Sequence, residues 1–222
     1  MEIIGIVHSD YEGKFVTPRQ SGLTPHSQGY IKFNPPFNDK SFFEGIENYT
    51  HLWILFQFHL TQNQGWKNQV RPPRLGGNET MGLFATRTNF RPNAIGMSVV
   101  KFEKLSNENQ ELTLHFSNHD IVSGSPVIDI KPYLPYADAI PEACSNFKKP
   151  ISLLSVIFEN NLKNTLPLNI VNLLTETLAL DPRPAYKNES DNKLYKFELA
   201  GYQIFFRVNF QNLHIENVIK IE

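Results

Sequence analysis

The sequence predicts a mainly β protein: a small antiparallel β-barrel or sandwich up to about residue 140, followed by a small α+β unit. Three observations predict it. Apolar residues recur with period two in several short runs, as half-buried strands require. Turn-forming clusters separate these runs at short spacing. Near residue 140 the period lengthens to that of a helix.

In chain order, Ile3 to Val7 reads as the first strand. Gly13 to Tyr30, with Pro18, Arg19, Gln20 and Gly22, reads as a long connection. His51 to His59 (HLWILFQFH) is mostly apolar and too short for a typical helix, so it predicts a strand buried on both faces. Thr61 to Asn78 is a second long connection, because Pro72-Pro73 cannot lie inside a central strand. Connections of this length are usually functional or disordered. Ser98 to Leu105 and the strictly alternating Glu111 to Phe116 predict strands either side of the Asn107-Glu108-Asn109 turn, and Val127 to Lys131 predicts another. Ile151 to Asn164 and Leu168 to Leu180 carry helical spacing; Ile170, Val171, Leu174 and Leu178 would form one face of the second helix. Asp181-Pro182-Arg183-Pro184 must end it. Leu194 to Leu199, Tyr202 to Val208 and Leu213 to Ile221 predict strands, with Ala200-Gly201 as the first turn between them. The expected domains are residues 1–140 and 151–222, joined by a 141–150 linker.

Composition limits the function. The 222 residues carry 21 Lys and Arg against 22 Asp and Glu, which excludes a globally basic nucleic-acid coat but not a basic patch. With 41% hydrophobic and 19% charged residues the chain is globular in class. The single cysteine, Cys144, can form neither an intrachain disulfide nor a Cys-based zinc site. No apolar stretch is long enough for a membrane span, and MEIIGIVHSDYEGK does not read as a signal or transit peptide. A cytoplasmic protein that binds no membrane is the expectation.

Several chemistries are missing. There is no Gly-rich dinucleotide turn, no P-loop and no paired-His metal motif. His115 and His119 sit four apart along a strand, about 13 Å and too far for one ion, so no metal is expected. Charge is more informative. Between residues 60 and 100 lie Lys67, Arg71, Arg74, Arg87 and Arg91, with Glu79 the one acid. Arginine interleaved with Trp66, Phe84 and Phe90 is the composition of a single-stranded nucleic-acid surface. Alternatively, Arg87 and Arg91 pair with core carboxylates such as Asp120 or Asp129. The set Ser123-Gly124-Ser125-Pro126 lets a ligand approach the backbone, or simply makes a β-turn.

The stretches PRQ (18–20), HLWILFQFH (51–59), RPPRLGGN (71–78), GLFATRTNFRPNAIGMS (82–98), SGSPVIDIKPYLPY (123–136) and DPRPAY (181–186) together resemble the TsaA-like, TrmO family of S-adenosylmethionine-dependent tRNA N6-adenosine methyltransferases. The resemblance is dense over residues 3–140 and resumes at DPRPAY. It implies a small antiparallel barrel rather than a doubly wound sheet, a homodimer, and methylation of N6 of the threonylcarbamoyl-modified adenosine next to the anticodon of threonine tRNAs. It implies that the C-terminal unit helps hold tRNA. It implies cofactor contacts from Gln20, Ser21, Gly22, His59, Leu60, Arg87, Met97 and the bend of Ile121, Val122, Ser123 and Gly124. Two departures stand out: Ala94 replaces a proline of the family pattern, and Ser123 replaces an acid.

For such a transfer, His59, Asp120 and Tyr186 are candidate bases, worth about a hundredfold or more. Arg71, Arg74 and Arg91 are candidate partners for a substrate carboxylate, Arg183 for a phosphate, and Tyr186 for stacking on a base. Two other readings remain: an RNA-binding barrel without transfer chemistry, and a barrel enzyme using the same cofactor on a small molecule.

Overall fold

The computed structural model describes residues 1–72, 79–108, 111–145, 153–183 and 192–221. Arg74, Tyr186 and half of the expected linker, 146–150, lie outside the described residues.

Six strands close into a barrel in the order β1-β2-β7-β6-β3-β8, every pairing antiparallel. They are β1 (Gly5–Ser9), β2 (Gln28–Phe33), β3 (His51–Gln57), β6 (Ile95–Glu108), β7 (Glu111–Ser117) and β8 (Pro126–Pro132). Two short strands, β4 (Gln69–Val70) and β5 (Met81–Gly82), pair outside it. Closure removes the exposed sheet edges that would otherwise invite aggregation. Alternation explains the interior: Leu52, Ile54 and Phe56 of β3 meet Val7, Ile31, Val100, Leu112, Leu114, Phe116 and Val127 in one core. Gly96 is required there, because a Cβ on it would sit 2.6 Å from the Phe56 ring.

Three expectations are corrected. β3 is buried on one face, with His51, Trp53, Leu55 and Gln57 half-buried outside, because a closed barrel has one interior. β2 begins within the expected first connection, at Gln28, and runs on past its end to Phe33; its inward positions, Gly29, Ile31 and Phe33, include a glycine that weakens the alternation. The expected helix over 151–164 contains a strand, β9 (Ser155–Phe158), running parallel to the last strand. Its Val156-Ile157-Phe158 run suits a pleated sheet, and only Leu162–Thr165 (α2) is helical.

After the short helix α1 (Pro135–Asp138), the C-terminal unit is a sheet in the order β10-β11-β12-β9, with β10 (Tyr195–Leu199), β11 (Tyr202–Asn209) and β12 (Asn212–Lys220). Helix α3 (Leu168–Ala179) buries Leu173, Leu174 and Leu178 against it, with Ile170 packed at the margin. Among the described residues no helix is long and apolar enough to cross a membrane.

Candidate active site

The site residues gather where the β1–β2 connection, the Thr86–Ala94 turn and the bend before β8 meet. Ser98 of β6 points inward and is buried, and its hydroxyl donates to Asp120 Oδ1 at 2.5 Å. The Ser21 backbone N–H and the Arg87 guanidinium both lie near enough to favour the ionised form of the Asp120 carboxylate. Burial nevertheless dominates and raises the Asp120 pKa above the usual carboxylate range. Arg87 is exposed and donates to Gln20 Oε1. Thus Gln20, Ser21 and Arg87 gather near Asp120, Arg87 bonded to Gln20, and Arg87 rather than Arg91 is the arginine that acts on the Asp120 charge.

The bend that follows is fixed through its backbone. Ser123 N–H donates to the Tyr11 carbonyl at 2.8 Å, and Gly124 N–H to the Val7 carbonyl at 2.7 Å. Ser9 Oγ donates to the Ile121 carbonyl at 2.8 Å, and Ser125 Oγ to the Val122 carbonyl at 2.7 Å. Gly22 N–H donates to the Asn118 carbonyl at 3.3 Å, tying the first connection to the same bend. Gly124 has φ +81°, and a Cβ there would lie 3.5 Å from His59 Nε2. The backbone therefore requires a glycine, while the space beside the imidazole would accept a Cβ at ordinary contact distance. His59 Nδ1 is 3.4 Å from Ser125 Oγ, and burial lowers its pKa, so the ring is neutral at pH 7. Ile121 is sealed in the barrel core, leaving only its backbone for a ligand.

Other candidates lie elsewhere. Met97 is 58% exposed and projects from the face of β6 opposite Ser98, beside the outward Leu55. Leu60, exposed, follows directly on His59. Arg71 is exposed. The Arg91 NH1 group donates to the Thr86 carbonyl at 2.9 Å and the guanidinium sits 5.8 Å over the Phe84 ring. Arg183 is corrected: it is 5% exposed and grips Asp181 through two bonds, Nε to Oδ1 at 2.8 Å and NH2 to Oδ2 at 2.9 Å. A guanidinium so engaged is poorly placed to meet a phosphate at the surface. His119 is fully buried, its Nδ1 accepting from Ile121 N–H, and burial pushes its pKa down to about 4. Among the described residues no group of three His, Cys, Asp or Glu side chains lies together to hold a metal ion.

Residues the sequence reading missed include Ser98, Ser9 and Tyr11. Ser98 ends a quoted motif, but only the pleat of β6 reveals that it faces Asp120. Phe84 is 80% exposed on a turn anchored by buried Leu83, an unusual placement for a large apolar ring. At the departure from the family pattern, Ala94 has φ +49° and its N–H donates to the Arg91 carbonyl at 3.1 Å. Proline can supply neither, so this turn is built for its alanine.

The group suits S-adenosylmethionine chemically. Arg87 offers a cation for a carboxylate, Asp120 and Ser123 offer acceptors for amino or hydroxyl groups, and the exposed bend at Gly124 lies beside His59.

Comparison with known proteins agrees. A family model described as the tRNA-methyltransferase O N-terminal domain matches residues 6–139, and one described as the TrmO C-terminal domain matches residues 153–221. The chain is 42% identical to a tRNA (adenine(37)-N6)-methyltransferase of Escherichia coli, over 93% of this chain and 92% of that protein. It is 38% identical to a putative S-adenosylmethionine-dependent methyltransferase of Pseudomonas aeruginosa, over 88% of this chain and 87% of that one. A crystal structure of TrmO from Pseudomonas aeruginosa superposes with a TM-score of 0.80 at 30% identity, covering 98% of this chain and 95% of that chain.

Proposed function

Because the chain belongs to the tRNA-methyltransferase O family across both of its domains, we propose that it is an S-adenosylmethionine-dependent tRNA methyltransferase acting on N6 of the threonylcarbamoyl-modified adenosine beside the anticodon. The observation that carries this reading is the gathering of Gln20, Ser21 and Arg87 near Asp120, against the 121–124 bend.

S-adenosylmethionine supplies a methyl group on a positively charged sulfur that becomes neutral on transfer. A free carboxylate beside that sulfur would favour the ground state over the transition state. Asp120 is instead occupied by the Ser98 hydroxyl, with the Ser21 N–H and Arg87 near enough to offset its charge. Arg87 would take the cofactor's carboxylate, and the N–H groups and carbonyls of the bend would align the donor.

The attacking nitrogen is acylated by the carbamoyl group and must lose its proton. Asp120, with its pKa raised, and neutral His59 can each accept one; Tyr186 lies outside the described residues. The adenosine belongs to a single-stranded loop, so presenting it breaks no duplex. Arg71 and Arg91 would receive the threonyl carboxylate and the loop phosphates, together with Arg74 outside the described residues. The C-terminal unit would add to the tRNA seat, and a second copy of the chain would cover the outward Leu55 and exposed Ile95 and Met97 of β3 and β6, giving a homodimer. The cytoplasm, where tRNA is matured, is the proposed location.

The test is mass spectrometry of tRNA nucleosides after incubation of the protein with methyl-labelled S-adenosylmethionine and tRNA with or without the threonylcarbamoyl mark. One label on the N6-methylated, threonylcarbamoylated adenosine is expected. Label on unmarked adenosine would overturn the substrate assignment. No label despite tight tRNA binding would leave the RNA-binding module as the correct reading.

A further inference from the structure

The connection between β1 and β2 belongs to both units of the protein. It carries Gln20, Ser21 and Gly22 into the candidate site, yet Tyr11 and Val16 near its start are buried in the core of the C-terminal sheet. Tyr11 is fully buried, its hydroxyl donates to Thr24 Oγ1 at 2.9 Å, and its carbonyl accepts the Ser123 N–H at 2.8 Å. One residue therefore joins the C-terminal core, the first connection and the 121–124 bend. Beside it, the Asp10 carbonyl accepts from Ala200 N–H at 2.8 Å, in the turn between β10 and β11. At the other end, Glu176 of α3 accepts the backbone N–H of His26 at 2.9 Å and also contacts the His26 ring, whose Nε2 lies 3.3 Å from Asn172 Nδ2.

We propose that the C-terminal unit braces the cofactor side of the site, with Tyr11 and Glu176 as positioning residues that hold the 11–26 connection, and through it Gln20–Gly22 and the 121–124 bend, in the geometry that receives S-adenosylmethionine. The inference rests on the cofactor reading above.

The physical reason is entropy. A connection this long without a strand or helix samples many conformers unless it is pinned, and ordering each of its residues costs conformational entropy. Pinning both ends on a folded unit supplies that order before the cofactor arrives. Releasing one pin lowers the fraction of molecules with a competent site, and apparent affinity falls by that fraction. The effect therefore belongs to cofactor affinity rather than to the chemical step.

The experiment compares the full-length chain with Glu176→Ala, Glu176→Gln and Tyr11→Phe. Two quantities are read: the dissociation constant of S-adenosylmethionine by calorimetry, and backbone hydrogen exchange without ligand. For Glu176→Ala the expected result is about a tenfold weaker cofactor constant, with tRNA affinity within about twofold of the wild type. Exchange should quicken at residues 20–24 and 123–124 while the β3 and β6 amides keep their protection. Glu176→Gln, which retains an acceptor for the His26 N–H, should restore much of the lost affinity. Wild-type cofactor constants and unchanged exchange in Glu176→Ala would overturn the proposal, even if Tyr11→Phe failed to fold. Should the wild-type chain bind no S-adenosylmethionine, the cofactor reading fails. Exchange still decides the brace: faster exchange at 20–24 supports it, and unchanged exchange overturns it.

Discussion

Asp10 stands at the point where the chain leaves β1 for the C-terminal unit. Its carboxylate accepts the Gln28 N–H at 2.7 Å, but burial outweighs that bond and raises its pKa to about 6 from 3.8. Between those two values the folded protein keeps a proton that the unfolded chain has released. Stability should therefore be greatest below pH 3.8 as far as this group is concerned, fall as pH rises to about 6, and stay flat above it. Asp10→Asn keeps an acceptor for Gln28 and removes the charge. It should abolish this slope and raise stability at pH 7 by about 1–2 kcal/mol, after allowing for partial exposure; urea titrations at pH 4, 5, 6 and 7 check it. A steeper slope in the variant would show that burial does not govern this carboxylate. Nothing in the local sequence SDYE announces this, because burial is set by the parts of the chain that pack around Asp10, such as the turn whose Ala200 N–H bonds its carbonyl.

At the scale of elements, β6 shows how one strand serves core and site together. Its inward residues are Gly96, Ser98 and Val100: a space for the Phe56 and Phe58 rings, a partner for Asp120, and an apolar plug. Gly96→Ala would push a methyl group to within 3 Å of both phenyl rings. Destabilisation of about 1–3 kcal/mol is expected, read as a lower midpoint at an unchanged denaturant slope. A neutral result would mean that the rings rearrange freely. The strands with clean alternation, such as β7, were legible in the sequence. β2 and β9 were not, β2 because glycine stands at an inward position and β9 because four residues satisfy a helical period as well as a strand period. Parallel pairing with β12 decided the second case, and no local pattern encodes a partner more than fifty residues away.

For the whole molecule, the chain is nearly neutral yet concentrates arginine between residues 60 and 100. The Phe84 ring, 80% exposed with Arg91 over it, lies in that segment and offers an aromatic surface to an unstacked base. Phe84→Ala should weaken tRNA binding by about 1–3 kcal/mol with the salt slope unchanged, whereas Arg71→Ala should weaken binding and reduce the slope by about one. Filter binding across a salt series separates the two, and equal slopes for both variants would remove Arg71 from the phosphate contacts. The mainly β architecture, the barrel followed by a small α+β unit, and the family were legible in the sequence alone, because alternation, turn residues and ordered motifs are local properties of the chain. The group at Asp120 was legible in part: its residues stood in the quoted motifs, but their partners did not. That Arg87 rather than Arg91 acts on the Asp120 charge, that Ser98 points inward while Met97 points out, that Arg183 is spent on Asp181, and that Tyr11 belongs to the C-terminal core were decided only when the barrel closed and the second unit packed against it. Direction and burial depend on which distant surfaces meet, and that is a property of the folded chain rather than of any stretch within it.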